Sequence, residues 1–140
     1  MVIREAWLTD IDAIEGPGDA HRQGWNRKQL LAELERMRGA FLVAQVDDRH
    51  AGHAVAWEVA GEVHIIDVQV EDWARRRGIG RALVQRLVQR CGGGETWLEV
   101  HEANVGALGL YRAMGFSEAG RRPAYYSDGS AAVMMTRRWS

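Results

Sequence analysis

The chain has 140 residues, the size of one ordinary domain, so we predict a single domain over residues 1–140. Its 46% hydrophobic and 26% charged residues are typical of a globular protein and exclude a disordered or fibrous one. With 18 basic and 19 acidic residues, the formal net charge is −1. The chain as a whole therefore lacks the positive field that gathers nucleic acid, and we expect no nucleic-acid partner.

The sequence indicates no secretory signal and no membrane span. Its start, MVIREAWLTD, lacks a basic region followed by an apolar run, and no long uninterrupted apolar stretch occurs. We therefore expect a cytoplasmic protein without a membrane partner. The single cysteine, Cys91, cannot form an internal disulfide, and we expect it to be buried at the end of a helix.

The N-terminal third predicts one strand and two helices. VIREAW alternates like a half-buried strand, and Thr9 or Asp10 fits the cap of a short helix that runs through Glu15. The stretch GPGDAHRQG at 16–24 interrupts regular structure. Asn26 fits the N-cap of a second helix, NRKQLLAELERMRG, which we expect to end at Gly39.

The middle of the chain predicts three strands and a helix. AFLVAQV, AGHAVAWEVA and EVHIIDVQV have short connections, so they should form an antiparallel meander. A helix over about residues 78–91 follows and ends at the glycines 92–94. Its apolar stripe consists of Leu83, Val84, Leu87 and Val88.

The last third predicts a strand, a helix and a hairpin. TWLEV fits a strand, and Asn104 fits the N-cap of VGALGLYRAM, a helix closed by Gly115. FSEAGRRPAYY and AAVMMTRRW then form a hairpin around SDG. The predicted order is therefore β, two helices, three strands, α, β, α and two strands.

The basic turn before the middle helix is the most informative stretch. WARRRGIGRALVQRLVQR, residues 73–90, has six arginines and no acidic residue from Arg75 onwards. A glycine turn that opens a helix presents unpaired N–H groups and a partial positive charge, which suit a phosphate. A Walker A loop would need Lys-Ser/Thr after Gly80, and a dinucleotide fingerprint would need glycine in place of Leu83. Both of these phosphate-binding motifs therefore fail.

A third phosphate motif does match. Arg75 to Gly80 fits Gln/Arg-x-x-Gly-x-Gly/Ala, the pyrophosphate loop of acetyl-coenzyme A (acetyl-CoA) in GNAT-family N-acetyltransferases. TWLEVHEANVGALGLYRAMGF followed by GRRPAYYSDGSAAVMM resembles the ribosomal-protein alanine (RimI-type) N-acetyltransferases and related N-terminal acetyltransferases of this family. The resemblance covers residues 63–136 well and the first third weakly. It implies an α/β GNAT fold, with a mixed, mostly antiparallel seven-stranded sheet flanked by four helices.

The resemblance also implies a set of residues for acetyl-CoA. The strand before the loop would lend backbone groups to the pantetheine arm and thioester, the loop and helix start would hold the pyrophosphate mainly through backbone N–H groups, and two residues of the next helix would also contact the cofactor. These residues are Val68, Gln69 and Val70; Arg76, Arg77, Gly78, Ile79, Gly80 and Arg81; and Asn104 and Tyr111.

For catalysis, the resemblance implies Glu99 as general base and Tyr111 as general acid, with direct transfer of acetyl in a ternary complex. An attacking amine must be neutral, and a thiolate leaves more easily when a phenol protonates it. Tyr125 and Tyr126 match tyrosines that border the peptide groove, and Trp25 resembles a tryptophan on the substrate side. Each of these residues also has an ordinary structural explanation, as a strand, helix or core side chain.

The acceptor class follows from acidity. An α-amine with a pKa of about 7.7 is neutral to a substantial extent at cytosolic pH, whereas a lysine with a pKa of about 10.4 is neutral in only about one molecule per thousand. The favoured acceptor is therefore a protein or peptide N-terminus, the N-terminal alanine of a ribosomal protein being one candidate. The alternatives are a small-molecule amine or lysine as acceptor, a CoA-binding domain without turnover, and a nucleic-acid module. We expect a monomer or weak dimer.

Some features depart from the resembled pattern. His101 stands where RimI-type sequences usually have arginine, Gly106 and Gly109 loosen a helix that is usually richer in alanine, and the 16–24 loop has no clear match. These departures concern the acceptor more than the reaction. The five histidines show no zinc spacing, so we predict no metal.

Overall fold

The computed structural model describes residues 1–14, 26–35 and 38–139, and its elements follow the predicted order. The predicted α/β class and seven-stranded sheet are confirmed. The strands are β1 Val2–Glu5, β2 Gly39–Val46, β3 Arg49–Val59, β4 Glu62–Val70, β5 Glu95–His101, β6 Ser117–Arg122 and β7 Ala132–Arg138. The helices are α1 Ile11–Ile14, α2 Arg27–Leu34, α3 Ile79–Arg90 and α4 Val105–Ala113, and 3-10 turns cover Leu8–Asp10 and Asp72–Ala74.

The seven strands form one sheet in the order β1-β2-β3-β4-β5-β7-β6. The predicted antiparallel meander is confirmed, since β2, β3 and β4 pair antiparallel with their neighbours in the chain. Asp47 and Asp48 make the β2–β3 turn with φ angles of 52° and 60°. Two left-handed residues at this position match the twist of the flanking strands.

The junction between β4 and β5 creates the opening in the sheet. These strands are parallel, as their connection through α3 requires, and the sheet pairs them only through Val63 with Thr96 and His64 with Trp97. Just beyond this point β4 has a bulge at Ile66, where the β3–β4 register shifts. The two strands then separate, and their facing edges line a cleft.

The sheet has a hydrophobic core on each face. α3 and α4 cover one face, and the predicted apolar stripe of α3 is confirmed because its residues are at most 5% exposed. Each fully buried leucine of this stripe contributes about 1.5–3 kcal/mol of transfer free energy. On the other face, α1 and α2 each bury one side chain completely, Ile11 and Leu30. The sheet is therefore packed on both faces around the β4–β5 opening.

The first elements differ from the sequence prediction in detail. β1 ends two residues earlier than predicted, and a 3-10 turn precedes α1. Neither Thr9 nor Asp10 is the N-cap, because Trp7 occupies that position. Asp10 lies inside the turn, where its carboxylate accepts the N–H of Trp7 at 2.6 Å and pairs with Arg4 at 2.8 Å. The carboxylate thus accepts a backbone N–H at the start of the turn although Asp10 itself lies inside the turn. Glu15 and the 16–24 loop lie outside the described residues.

The predicted caps of the two later helices are correct, but one helix end is wrong. Asn26 accepts the N–H of Gln29 at 2.9 Å, and Asn104 accepts that of Ala107 at 3.1 Å. Gly39 does not end α2, which closes at Leu34 with its C-cap one residue later; Gly39 opens β2 instead. An added Cβ at Gly39 would lie only 2.2 Å from a carbonyl oxygen of β3, so the close strand approach requires glycine there.

Cys91 lies at the end of α3, as predicted, but it is half-buried rather than buried. It is the C-cap residue, and the glycines that follow leave one side of it open. Its partial burial, with the charge of Glu58, raises the pKa of the thiol. No helix in the described part of the chain is both long and apolar enough to cross a bilayer.

The final hairpin is shorter than predicted. β6 ends at Arg122 and β7 begins at Ala132, so Tyr125 and Tyr126 lie in the connection rather than in a strand. We call residues 123–131 the β6–β7 loop. Its backbone turns back on itself, because the N–H groups of both tyrosines donate to the carbonyl oxygen of Ser130 at 3.0 and 3.1 Å.

Candidate active site

The cleft between β4 and β5 has a volume of about 860 Å³, within the usual range for small-molecule sites. Its walls come from both strands, from α4 and from the β6–β7 region. Six of the residues singled out from the sequence line it: Val68, Glu99, Asn104, Tyr111, Tyr125 and Tyr126. The fold therefore brings the predicted catalytic pair into one cavity with cofactor and acceptor candidates. Trp25 lies outside the described residues.

The glycine turn before α3 has the geometry of an anion site. Gly78 is the N-cap, with φ 76° and no side-chain cap, and the first helical hydrogen bond runs from the N–H of Ala82 to its carbonyl oxygen at 3.1 Å. The N–H groups of Ile79, Gly80 and Arg81 therefore have no acceptor within the helix. Three such groups at the positive end of a twelve-residue helix suit a phosphate.

The turn lies close to α4 and to the end of β4. A Cβ added at Gly80 would be 3.3 Å from the side chain of Leu110 on α4 and 3.7 Å from Val70 on β4. The start of α3 therefore lies against both elements. The anion site is consequently next to the α4 wall of the cleft, where an extended ligand with a phosphate at one end reaches both.

The side chains of the three consecutive arginines are not equivalent. Arg75 pairs with Asp72 at 3.1 Å, and Arg77 lies over the ring of Trp73 at 5.6 Å. Arg76 adopts a left-handed backbone with φ 65°. The side chains of Arg75 and Arg77 thus contact the preceding 3-10 turn. This fits a loop that binds its ligand mainly through backbone N–H groups.

Of the three β4 residues predicted to contact the cofactor, only Val68 lines the described cleft. Gln69 and Val70 come after it and pair with His53 and Gly52 of β3. The backbone of β3 approaches β4 very closely here, because a Cβ on Gly52 would lie 2.5 Å from the carbonyl oxygen of Gln69. This contact fixes the end of β4 that leads into the glycine turn.

Glu99 projects from β5 on the same face as Trp97 and His101, because alternate residues of a strand share a face. Its Oε1 is 3.1 Å from Nε of Arg122, a residue that the sequence reasoning missed. The negative charge of Glu99, together with burial and a hydrogen bond to its carboxylate, raises the pKa of Tyr125. The phenol therefore stays protonated beside the carboxylate, which has Arg122 as its second neighbour.

Tyr111 is held rigidly in the α4 wall. Only 6% of the residue is exposed, and its ring packs edge-on against Phe116 at 5.5 Å between centroids. Asn104, at the start of the same helix, uses its side-chain oxygen as the cap, which leaves its amide N–H groups as possible donors to a ligand. Both residues line the cleft on the side of the glycine turn.

The two tyrosines of the β6–β7 loop also line the cleft. Tyr126 stacks on the ring of His101 at 4.7 Å, and Tyr125 packs edge-on against Tyr126 at 5.1 Å. Burial, followed by the charge of Glu99, raises the pKa of Tyr126. The pair thus presents phenol groups that remain neutral at physiological pH.

Several lining residues were not predicted. At the closed end, where β4 and β5 still pair, the indole N–H of Trp97 donates to Glu62 at 3.0 Å, and His64 lies 3.4 Å from the same carboxylate. The period-two alternation in TWLEVH was the signal that could have placed Trp97 beside Glu99. In the described ranges, no group of three or more potential ligand side chains could hold a metal ion.

The sequence profile of the Acetyltransferase (GNAT) family matches residues 6–116. The chain is 35% identical, over 76% of its length and 74% of the relative's, to the [ribosomal protein bS18]-alanine N-acetyltransferase of Salmonella typhimurium. It is 30% identical, over 95% of its length and 90% of the relative's, to an N-alpha-acetyltransferase of Sulfurisphaera tokodaii. The crystal structure of the ribosomal-protein-S18-alanine N-acetyltransferase from Escherichia coli aligns with a TM-score of 0.85 and 28% identity, covering 99% of this chain and 95% of that one. The fold, the cleft and these similarities together establish that the chain belongs to the GNAT family of acetyltransferases.

Proposed function

We propose that this acetyl-CoA-dependent acetyltransferase acts on the α-amine of a protein or peptide N-terminus, by direct transfer in a ternary complex. The observation that carries the proposal is that Glu99 of β5 and Tyr111 of α4 line the same cleft, and that α4 also contacts the helix start that suits a phosphate. The N-terminal acetyltransferases among the relatives support the choice of acceptor. The N-terminal alanine of a ribosomal protein is the first candidate.

The residues present fit acetyl-CoA, which supplies the acetyl group as a thioester. The backbone N–H groups at the start of α3, with the preceding residues Arg76 and Arg77, would hold the pyrophosphate. Val68 would border the pantetheine arm where β4 leaves β5, and Asn104 would donate a hydrogen bond from the α4 side. Gln69 and Val70 would contribute through the backbone at the end of β4.

Glu99 would act as the general base. The nitrogen of the acceptor attacks the thioester carbonyl carbon, a C–N bond forms, and the proton of the amine passes to the carboxylate directly or through a water molecule. Arg122 and the phenol of Tyr125 hold the carboxylate in place. A carboxylate suffices for an α-amine because about half of this amine is already neutral near pH 7.7, in contrast to lysine.

Tyr111 would act as the general acid. As the C–S bond breaks, its hydroxyl gives a proton to the departing thiolate, whose conjugate thiol has a pKa near about 8.5. The burial of the ring keeps the hydroxyl in one position and excludes water around the leaving group. The mechanism therefore needs no metal and no covalent acyl-enzyme, and Cys91 at the far end of α3 takes no part.

The decisive experiment uses one Ala-starting peptide in two forms, with acetyl-CoA-dependent thiol release as the readout. In the first form the α-amine is free and lysines are blocked; in the second the α-amine is blocked and a lysine is free. We expect turnover only with the first form. Turnover only with the second form would refute the proposed acceptor. Silence with both, combined with acetylation of spermine or an aminoglycoside, would also refute it, in favour of a small amine.

Two variants test the assigned roles. Tyr111→Phe should lower kcat by about 10²- to 10⁴-fold while acetyl-CoA binding and the melting temperature stay close to wild type, because the buried ring is retained. Glu99→Gln should lower kcat and shift the pH–rate profile. Glu95→Gln is the matched control, since Glu95 lies on the same strand but outside the cleft. An unaltered pH profile in Glu99→Gln would remove Glu99 as the base.

A further inference from the structure

His101 is a buried histidine whose protonation state can be read from its contacts. Only 4% of the residue is exposed. Its Nδ1 lies 3.0 Å from the backbone nitrogen of Ala103, and its Nε2 lies 3.0 Å from Oδ2 of Asp128. A backbone N–H can only donate, so Nδ1 accepts. The ring hydrogen is therefore on Nε2, which donates it to the carboxylate of Asp128.

Asp128 belongs to the tip of the β6–β7 loop. Its side chain is more than half exposed, and its other oxygen accepts the N–H of Ser130 at 2.9 Å. Next to it, the N–H of Gly129 donates to the carbonyl oxygen of Tyr126 at 3.0 Å. The carboxylate thus both shapes the loop tip and ties it to β5.

The ring of His101 also supports the two loop tyrosines that we propose to face the acceptor. Tyr126 stacks on His101, and Tyr125 packs on Tyr126 close enough to Glu99 for the charge of that carboxylate to raise its pKa. Glu99 and His101 are two residues apart on one face of β5. The loop is consequently attached to β5 at two neighbouring side chains, one of which is the proposed general base.

We infer that His101 is a positioning residue: through Asp128 and Tyr126 it fixes the β6–β7 loop against β5 and so sets the acceptor side of the cleft. The inference rests on the proposed function insofar as the loop tyrosines contact the acceptor. It assigns no proton transfer to His101, which acts through the loop.

The arrangement depends on histidine at this position. Arginine at this position would carry only donors and would have no atom that accepts the N–H of Ala103. A neutral imidazole joins one donor and one acceptor on opposite edges of a ring, and its faces offer a surface for Tyr126. This chain therefore anchors its loop by contacts that arginine cannot reproduce.

The test compares four single variants and the double variant that combines His101→Asn with Asp128→Ala. His101→Asn retains an acceptor near the N–H of Ala103 but is too short to reach Asp128. Asp128→Ala removes the partner of His101, and because Asp128 is exposed we do not expect this variant to lose its fold. Asp128→Asn retains one acceptor oxygen for His101. Ser127→Ala, at the exposed neighbouring position, is the matched control. The measurements are steady-state kinetics for peptide and for acetyl-CoA, and amide hydrogen exchange over residues 123–131.

We expect Asp128→Ala and His101→Asn each to raise the KM for the peptide about 2- to 12-fold, as for one ordinary hydrogen bond to a partly exposed group, with the KM for acetyl-CoA unchanged. Loop amides should exchange faster in both variants. The double variant should be no worse than either single one, Asp128→Asn should recover part of the effect, and Ser127→Ala should match wild type.

Unchanged loop exchange in Asp128→Ala would overturn the inference, as would an equal rise in both KM values, which indicates general damage. If His101→Asn fails to fold, Asp128→Ala decides the matter alone. If wild-type protein is silent with every peptide, the proposed function fails. The exchange measurement still decides whether His101 holds the loop, because it requires no turnover.

Discussion

Gly78 allows backbone strain at the start of α3 to be measured without any change in packing. Its φ is 76° and ψ is 14°, and an added Cβ would meet no atom within 4 Å. Gly78→Ala should therefore lower the free energy of unfolding by about 1–2 kcal/mol, and this loss comes from the left-handed backbone alone. For a domain of this size that corresponds to a fall of roughly 3–8 °C in Tm.

The same substitution two residues later is the control. Gly80 is not left-handed, and its Cβ would lie 3.3 Å from Leu110 Cδ2, the far end of a flexible side chain. Alanine is favoured over glycine inside a helix by up to about 1 kcal/mol, so Gly80→Ala should have a Tm equal to or above wild type. Gly78→Asn should lose less than Gly78→Ala, because asparagine tolerates the left-handed region better.

Calorimetry and acetyl-CoA titration would be run on all three variants. If the strained turn orients the N–H groups at the helix start, the affinity for acetyl-CoA should fall in Gly78→Ala and recover in Gly78→Asn. A wild-type Tm in Gly78→Ala, or a larger loss in Gly80→Ala, would refute the reasoning that the turn conformation, rather than space, requires glycine.

Three further predictions concern the surroundings of the site. Gly52→Ala should lower the free energy of unfolding by about 1–3 kcal/mol, because its Cβ would lie 2.5 Å from a carbonyl oxygen of β4; an unchanged urea midpoint would contradict this. Cys91 should react with iodoacetamide more slowly than a cysteine in a peptide at pH 7.5, because burial raises the pKa of its thiol, and urea should abolish the difference. A backbone N–H and His101 lower the pKa of Asp128 to about 2, so its carboxylate favours the folded state above its ordinary pKa of 3.8, and this contribution is lost as pH falls towards 2. In a carbon-13 titration, His101→Asn should move this midpoint partway back towards 3.8, and an unmoved midpoint would argue against the tether.

The element order was predictable because each boundary has a local cause. Asn26 and Asn104 cap helices with their own side chains, and the three glycines after Cys91 end α3 in left-handed conformations. The end of α2 was not predictable in the same way. Gly39 resembles a helix terminator, yet it is required by a carbonyl oxygen of β3, which only the folded sheet brings near.

The site was predictable only in part, because its walls come from distant segments. The GNAT resemblance identified Glu99 and Tyr111, and the cleft contains both. It did not identify Arg122 or the role of His101, because their partners lie 23 and 27 residues away along the chain. Alternation along β5 places Glu99 and His101 on one face, but it cannot reveal which loop covers them.

The contact between Glu99 and Arg122 bears directly on whether Glu99 can serve as a base. A carboxylate has about four lone-pair positions, so an amine or a water molecule can be bound even with Arg122 3.1 Å from one of its oxygens. The Arg122 side chain is 54% exposed, and solvent screening limits such a pair to about 0–1 kcal/mol. Breaking it accounts for at most about a fivefold loss of rate. A larger loss in Glu99→Gln, with near-normal kcat in Arg122→Gln, would therefore have to arise from the proton that the carboxylate accepts.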